Sequence, residues 1–213
     1  MYLPASFEEK HIETLHALIR ERPLGALVAL TTLGLEANHV PFEIDPQPAP
    51  LGTLRAHIAR ANPLHRSARS EVDALVLFSG PHGYVSPSWY AMKRETGAVV
   101  PTWNYVIVHA RGALRFVEDR ARLREHVARL TARHEAARAE PWKITDTPPD
   151  YLEKMLQSIV GVEIVLRELT GKWKLGQNRN ERDRRSLLEG LSHEGAAAAE
   201  LAQAVRRTLE PRG

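Results

Sequence analysis

No strand–helix–strand alternation runs through this chain, and that absence constrains its fold more than any other feature. About six or seven β-prone stretches follow one another in hairpin-like succession, with helical patterns at the start, after the main strands and at the end. A doubly wound parallel sheet needs a crossover helix between successive strands, so it is disfavoured. The expected class is mainly β (α+β): an antiparallel barrel of six to seven strands decorated by N-terminal, middle and C-terminal helices.

Local patterns place these elements. Ser6 with Glu9 three residues later reads as a capping box, and Ile12, Leu15, Leu18 and Ile19 follow at helical spacing until Pro23. The apolar run 24–30 predicts a buried strand. Over 35–44, Val40, Phe42 and Ile44 share one face while Ala37, His39 and Pro41 share the other. Pro41 cannot donate to a ladder, so this strand lies at an edge or carries a bulge near its end. Further strands are expected over 51–58, 72–79 and 83–86, and over 100–117 as one long strand or a hairpin broken near Gly112. Residues 119–140 form the clearest helix, with Leu123, Val127 and Leu130 as an apolar stripe beneath a row of arginines. A short helix over 151–157, a strand over 159–169, a mixed segment and an alanine-rich helix over 195–209 complete the reading. With no internal repeat and no long linker, the expected organisation is one domain over 1–191 and a C-terminal helical tail over 192–213.

Composition narrows the chemistry. The absence of cysteine excludes disulfides, thiolate metal sites and a Cys nucleophile. No apolar window is long enough for a transmembrane helix and the first residues lack a signal-peptide pattern, so a cytoplasmic protein with no membrane contact is expected. The net charge of +3 does not by itself imply nucleic acid. The best basic candidate is the Arg-rich helix 119–138, with Arg120, Arg122, Arg124, Arg129, Arg133 and Arg138, although a solvated helical face is the favoured reading of it. Neither a P-loop, a Rossmann glycine pattern, an H-E-x-x-H zinc site nor a G-x-S-x-G elbow occurs, and the ten histidines are scattered.

Four clusters remain. His39 lies opposite the apolar face of its strand, within Asn38-His39-Val40-Pro41-Phe42, where a solvent-facing histidine is as natural as a functional one. His57 and Arg60 stand three apart ahead of Asn62-Pro63; the Arg fork suits a phosphate and an imidazole or Asn can add a hydrogen bond, though Arg60 also fits an ordinary position before a turn. Residues 78–105 hold Trp89, Trp103, Tyr84, Tyr90 and Tyr105 beside Ser, Thr and Asn, a composition that suits a planar ligand or a subunit interface. In Gly171-Lys172-Trp173-Lys174-Leu175-Gly176-Gln177-Asn178, an extended chain puts Lys172 and Lys174 on one face, where an anion or water must offset their repulsion.

Taken in order, Met1-Tyr2-x-Pro4-x-x-Phe7, His39-x-Pro41-Phe42, Gly52-x-Leu54-x-x-His57-x-Ala59-Arg60-Ala61-Asn62-Pro63, Gly80-Pro81-x-x-Tyr84-x-Ser86-Pro87-x-Trp89-Tyr90, Val100-Pro101-Thr102-Trp103-Asn104-Tyr105 and the Gly171–Asn178 segment resemble the PaiB family. That resemblance covers the chain from Met1 to about Leu191. It departs at Gly176, where Ser is expected, and at Leu64-His65, where an aromatic usually follows Asn-Pro. The family is described as FMN-binding negative transcriptional regulators with a split β-barrel related to pyridoxamine-phosphate oxidases. The resemblance therefore implies a homodimer with FMN in a groove between subunits. It implies cofactor contacts by His39, His57, Arg60, Asn62, Trp103, Asn104, Lys174, Gln177 and Asn178. Arg60 and His57 would take the phosphate, Trp103 and Asn104 would lie along the flavin, and Lys174, Gln177 and Asn178 would reach the phosphate or ring edge. No catalytic residue and no metal site is implied. Repression, directly on DNA through helix 119–138 or through a partner, is the expected function. A flavin-dependent oxidoreductase, with His39, His57 or His109 as proton donors, is the alternative. A scaffold that holds haem or no ligand is the third reading.

Overall fold

The computed structural model of the chain describes residues 1–210. Eight strands form one sheet: β1 (Glu8–Glu9), β2 (Leu24–Thr31), β3 (Gly34–Pro41), β4 (Glu43–Asp45), β5 (Thr53–Ala59), β6 (Ala74–Val85), β7 (Thr102–Val117) and β8 (Ile159–Lys174). Seven helices accompany them: α1 (Ile12–Glu21), α2 (Leu64–Ser67), α3 (Met92–Thr96), α4 (Arg120–Glu135), α5 (Pro149–Gln157), α6 (Glu181–Ser192) and α7 (Ala196–Arg207). The strand order is β3-β2-β6-β7-β8-β5-β4, with β1 added to β8, and the sheet does not close on itself. The expected class, an antiparallel β architecture with helices, is the observed one, with eight strands in place of six or seven.

Two compact units divide the chain. The first comprises Met1–Leu15, Ser79–Val108 and the described residues from Thr170 onward; the second comprises His16–Phe78 and His109–Leu169. In the second, β2 pairs antiparallel with β3 from Leu24↔Pro41 to Thr31↔Gly34, and β5 pairs with β8 from Thr53↔Val165 to Ala59↔Ile159. Its core holds Leu27, Val40, Phe42, Leu54, Val76 and Phe78, with the Phe42 and Phe78 rings edge to face at 5.9 Å. A smaller cluster of Leu123, Ile144, Leu152 and Leu156 lies beneath α4. In the first unit, Leu187 and Leu191 of α6 and Leu201 and Val205 of α7 are buried, and Gly190 lets α6 approach Trp89, since a Cβ there would come within 2.3 Å of the indole.

Several elements differ from the sequence reading for identifiable reasons. Ser6 and Glu9 do not cap a helix: Glu8 and Glu9 pair with Lys172 and Gly171, which draws them into the sheet, and Glu9 instead accepts from the His11 N–H at 2.9 Å. The strands expected over 72–79 and 83–86 are one continuous β6, because its pairing with β2 ends at Leu77 and Pro81 is left with no ladder bond to donate toward that side. Over 100–117, β7 runs unbroken. Gly112 does not break it; a Cβ at Gly112 would lie 2.0 Å from the Val165 carbonyl oxygen, so glycine permits the close approach of two strands. The mixed segment contains α6, whose buried Asp183, Leu187 and Leu191 recur every fourth residue among charged neighbours and whose N-cap Asn180 accepts from the Asp183 N–H. Pro41 does end an edge strand, as its missing donor requires.

Gly112→Ala tests the close approach. Forcing a methyl against the Val165 backbone is expected to lower unfolding free energy by about 2–3 kcal/mol, read as a lower urea midpoint. An unchanged midpoint would show that the strands separate without cost.

Candidate functional site

Each unit holds its own set of the residues singled out from the sequence. In the first, β7 begins and β8 ends with polar side chains facing one another. Lys174 donates to Thr102 Oγ1 and to the Trp103 carbonyl, both at 2.6 Å. Lys172 and Lys174 do share a face, with their ammonium groups 5.5 and 5.8 Å from the centre of the Tyr105 ring. Lys172 is buried and also donates to the Tyr2 carbonyl. Burial pushes the Lys174 ammonium below its ordinary range, and the charge of Lys172 adds to this against an opposing effect of Tyr105.

Beside Lys174 lies a cavity of about 90 Å3, lined by Tyr90, Val100, Thr102, Asn104, Lys174, Gly176, Asn178 and Arg179. Asn104 is 1% exposed and its Nδ2 has no hydrogen-bond partner. A buried amide donor without an acceptor is costly, and an incoming acceptor would relieve it. The Arg179 guanidinium lies 4.9 Å from the centre of the Tyr90 ring. Gln177 is used differently: its amide accepts from the Leu175 N–H and donates to the Trp173 carbonyl, holding the loop after β8. Gly176 in this loop has φ +87°, a left-handed conformation that glycine adopts without strain, so the departure from Ser suits the backbone. Trp103 is half-exposed and meets Tyr84 edge to face at 6.3 Å.

In the second unit, Arg60 is fully engaged. It donates from Nε to the Gln157 carbonyl, from one terminal nitrogen to Glu118 at 2.9 Å and from the other to the Ile159 carbonyl. The guanidinium thus ties the end of β5 to the junction of α5 and β8. Asn62 donates to Asn38 at 2.8 Å and accepts from the Leu64 N–H, starting α2. Leu64 is fully buried, so the departure from an aromatic retains an apolar anchor. His39 is exposed on the edge strand β3.

His57 belongs to a chain of hydrogen-bonding groups that the sequence reading missed. Its Nδ1 lies 3.2 Å from His126 Nε2, and His126 Nδ1 lies 2.9 Å from Glu43 Oε2. Burial, then the neighbouring charge of His126, lowers the His57 pKa. Burial alone would raise that of Glu43, but the His126 hydrogen bond and the charges of His126, Arg129 and Arg133 hold it below 4.5. The signal for His126 was present, since it falls three residues after Leu123 on the buried side of α4. An adjacent cavity of about 220 Å3 opens beside His126, among Arg55, Arg122, Glu125, Arg129 and Glu163.

The arginines of α4 are largely neutralised within the chain. Arg120 and Arg124 meet Glu153 at 3.5 and 3.4 Å, Arg122 meets Glu163 at 2.6 Å, Arg129 meets Glu125 at 2.6 Å, and Arg133 donates to the Arg20 carbonyl. Among the described residues no cluster of His, Asp or Glu suits a metal ion, and no helix is long and apolar enough to cross a membrane.

Two measurements probe these contacts. Arg60→Ala removes three hydrogen bonds at a partly exposed position, so it is expected to cost about 1–2 kcal/mol in urea unfolding; an unaltered midpoint would leave Arg60 without a structural role. Because the folded Glu43 pKa is depressed, its contribution is complete above the ordinary 4.5 and is lost as pH falls through the folded value. Glu43→Gln is therefore expected to destabilise the protein near neutrality by roughly 1–2 kcal/mol and to show a shallower loss in acid than the parent. Parallel pH–stability curves would contradict this.

Similarity to other proteins identifies the family. The family described as "Putative FMN-binding domain" matches residues 1–168. An uncharacterized protein of Aspergillus fumigatus is 32% identical over 258 aligned positions, covering 100% of this chain and 98% of that protein. The protease synthase and sporulation protein PAI 2 of Bacillus subtilis is 33% identical over 194 positions, covering 91% of this chain and 90% of its own length. Among solved structures, the flavocytochrome Anf3 of Azotobacter vinelandii superposes with a TM-score of 0.60 at 16% identity, covering 78% of this chain and 69% of that one, a likeness of fold. The match across most of the chain leads to one conclusion: this chain belongs to the FMN-binding split-barrel family, and FMN is its cofactor.

Proposed function

We propose that the chain is an FMN-binding negative transcriptional regulator of the PaiB type that acts as a homodimer. Similarity to the Bacillus sporulation protein over nine-tenths of the chain supports the regulatory role. The observation that carries the cofactor reading is the unpaired Asn104 Nδ2, buried beside the Lys174 ammonium. A flavin presents acceptors along its ring edge and on its phosphate, and both donors fit such groups. In this reading Asn104, Lys174 and Asn178 contact FMN, Gln177 holds the loop that carries them, and the Trp103 ring packs along the flavin. His39, His57, Arg60 and Asn62 form a second candidate set in the other unit. For Arg60 to grip a phosphate it must release Glu118, which is exposed and easily solvated. When bound, FMN supplies a ring that accepts electrons; the chain supplies position and charge.

The internal pairing of the α4 arginines favours repression through a partner protein over a direct path along DNA. A helix that grips phosphates needs cations free of carboxylates, and Arg120, Arg122, Arg124 and Arg129 each have one close by.

Lys174→Met tests the cofactor site. Losing one charged hydrogen bond is expected to weaken FMN binding about ten- to a hundredfold, measured by flavin fluorescence titration, while the fold by circular dichroism is kept. Unchanged affinity would remove Lys174 from the site. For the regulatory route, replacing Arg120 and Arg124 by Ala is expected to leave any promoter-DNA retention and its salt dependence unaltered. A salt slope reduced by about one for each lost arginine would instead put α4 on the DNA.

A further inference from the structure

The outer faces of β4, β5 and β8 carry charge where α4 covers them. Register places Glu43 opposite Arg55, Arg55 opposite Glu163 and His57 opposite Gly161. Gly161 has no side chain, and a Cβ there would come within 3.1 Å of Leu123, so α4 lies close over this face. Of the groups facing His126, most are already paired with one another. Arg55 meets Asp45 and Glu163, Arg122 meets Glu163, and Arg129 meets Glu125. Glu43 also lies 3.8 Å from Arg129, and it is the carboxylate in contact with His126.

This contact fixes the direction of the hydrogen bonds. An ionised carboxylate only accepts, so His126 Nδ1 carries a proton toward Glu43. Neutral His126 then has a bare Nε2, which can only accept. His57 Nδ1, 3.2 Å away, must therefore hold its own proton, and His57 Nε2 is left as an acceptor. If His126 gains a proton, both of its nitrogens donate. His57 Nδ1 becomes the acceptor, and neutral His57 must carry its proton on Nε2, which becomes a donor. The net change is one proton taken up by the pair, with the His57 tautomer reversed.

We propose that His126, anchored by Glu43, is a positioning residue that sets whether His57 Nε2 accepts or donates a hydrogen bond, and so makes the grip of His57 on a phosphate dependent on pH. The consequence for FMN rests on the reading that His57 contacts the flavin phosphate; the tautomer switch itself does not. A phosphate oxygen accepts, so the low-pH form of His57 holds it and the high-pH form does not. Burial and the neighbouring charge of His126 both disfavour a charged His57, which favours reversal of its tautomer over charging of both rings.

Nitrogen-15 NMR of the imidazole rings in the flavin-free full chain, over about pH 5–8, reads the switch directly. The expected result is His57 protonated at Nδ1 at the alkaline end and at Nε2 at the acid end. Glu43→Gln should displace the reversal, because the carboxylate that fixes the His126 Nδ1 proton is removed. A single His57 tautomer throughout, or a reversal that Glu43→Gln leaves in place, overturns the proposal. Titration with FMN and with riboflavin, which lacks the phosphate, then separates the two layers. FMN affinity should strengthen several-fold on acidification in the parent relative to His57→Gln, whose amide always offers a donor. The ionisation of the phosphate itself is common to both proteins and cancels in this comparison. A reversal seen by NMR with FMN affinity indifferent to His57 keeps the switch and removes His57 from the flavin site.

Discussion

Charge enclosed between α4 and the sheet is the constraint on which the second unit depends. An ion placed there without a partner would cost several kcal/mol, and most of the cations on β5 and α4 are matched by carboxylates, largely from other elements. Arg55 joins β4 to β8 through Asp45 and Glu163, Arg122 brings α4 onto the same Glu163, and His126 adds Glu43. These pairs specify the seating of α4 more than they stabilise it, because exposed members such as Arg122 gain little from their partners.

That arrangement changes the meaning of the arginine row. In sequence it is a basic helix with an apolar stripe; in three dimensions the acids that answer it come from β4, β8 and α5, as well as from α4 itself. Long-range carboxylates are invisible to local charge counting, and so a row that reads as free cations is a half-exposed layer of ion pairs. Arg60 follows the same logic, since two of its three acceptors are backbone carbonyls that no side-chain pattern announces.

The strands with clean alternation were legible, and so was the edge position imposed by Pro41. What local patterns did not convey was length. Gly80, Pro81, Gly83 and Gly112 read as interruptions, yet β6 and β7 pass through them because neighbouring backbones supply or waive the contacts that decide. The polar site divided similarly. The juxtaposition of Lys172 and Lys174 followed from strand period alone. The Glu43–His126–His57 chain needed α4 to be laid on β5, which depends on a glycine at 161 and on residues 83 and 69 positions apart in sequence.

The half-exposed Trp103, set against Tyr84 on one side and supplying its carbonyl to Lys174, has a practical corollary. Indole emission overlaps the near-ultraviolet absorption of an isoalloxazine, and energy transfer over such short separations is efficient. A flavin seated beside Lys174 would darken this tryptophan, giving the chain a built-in optical gauge of its own occupancy.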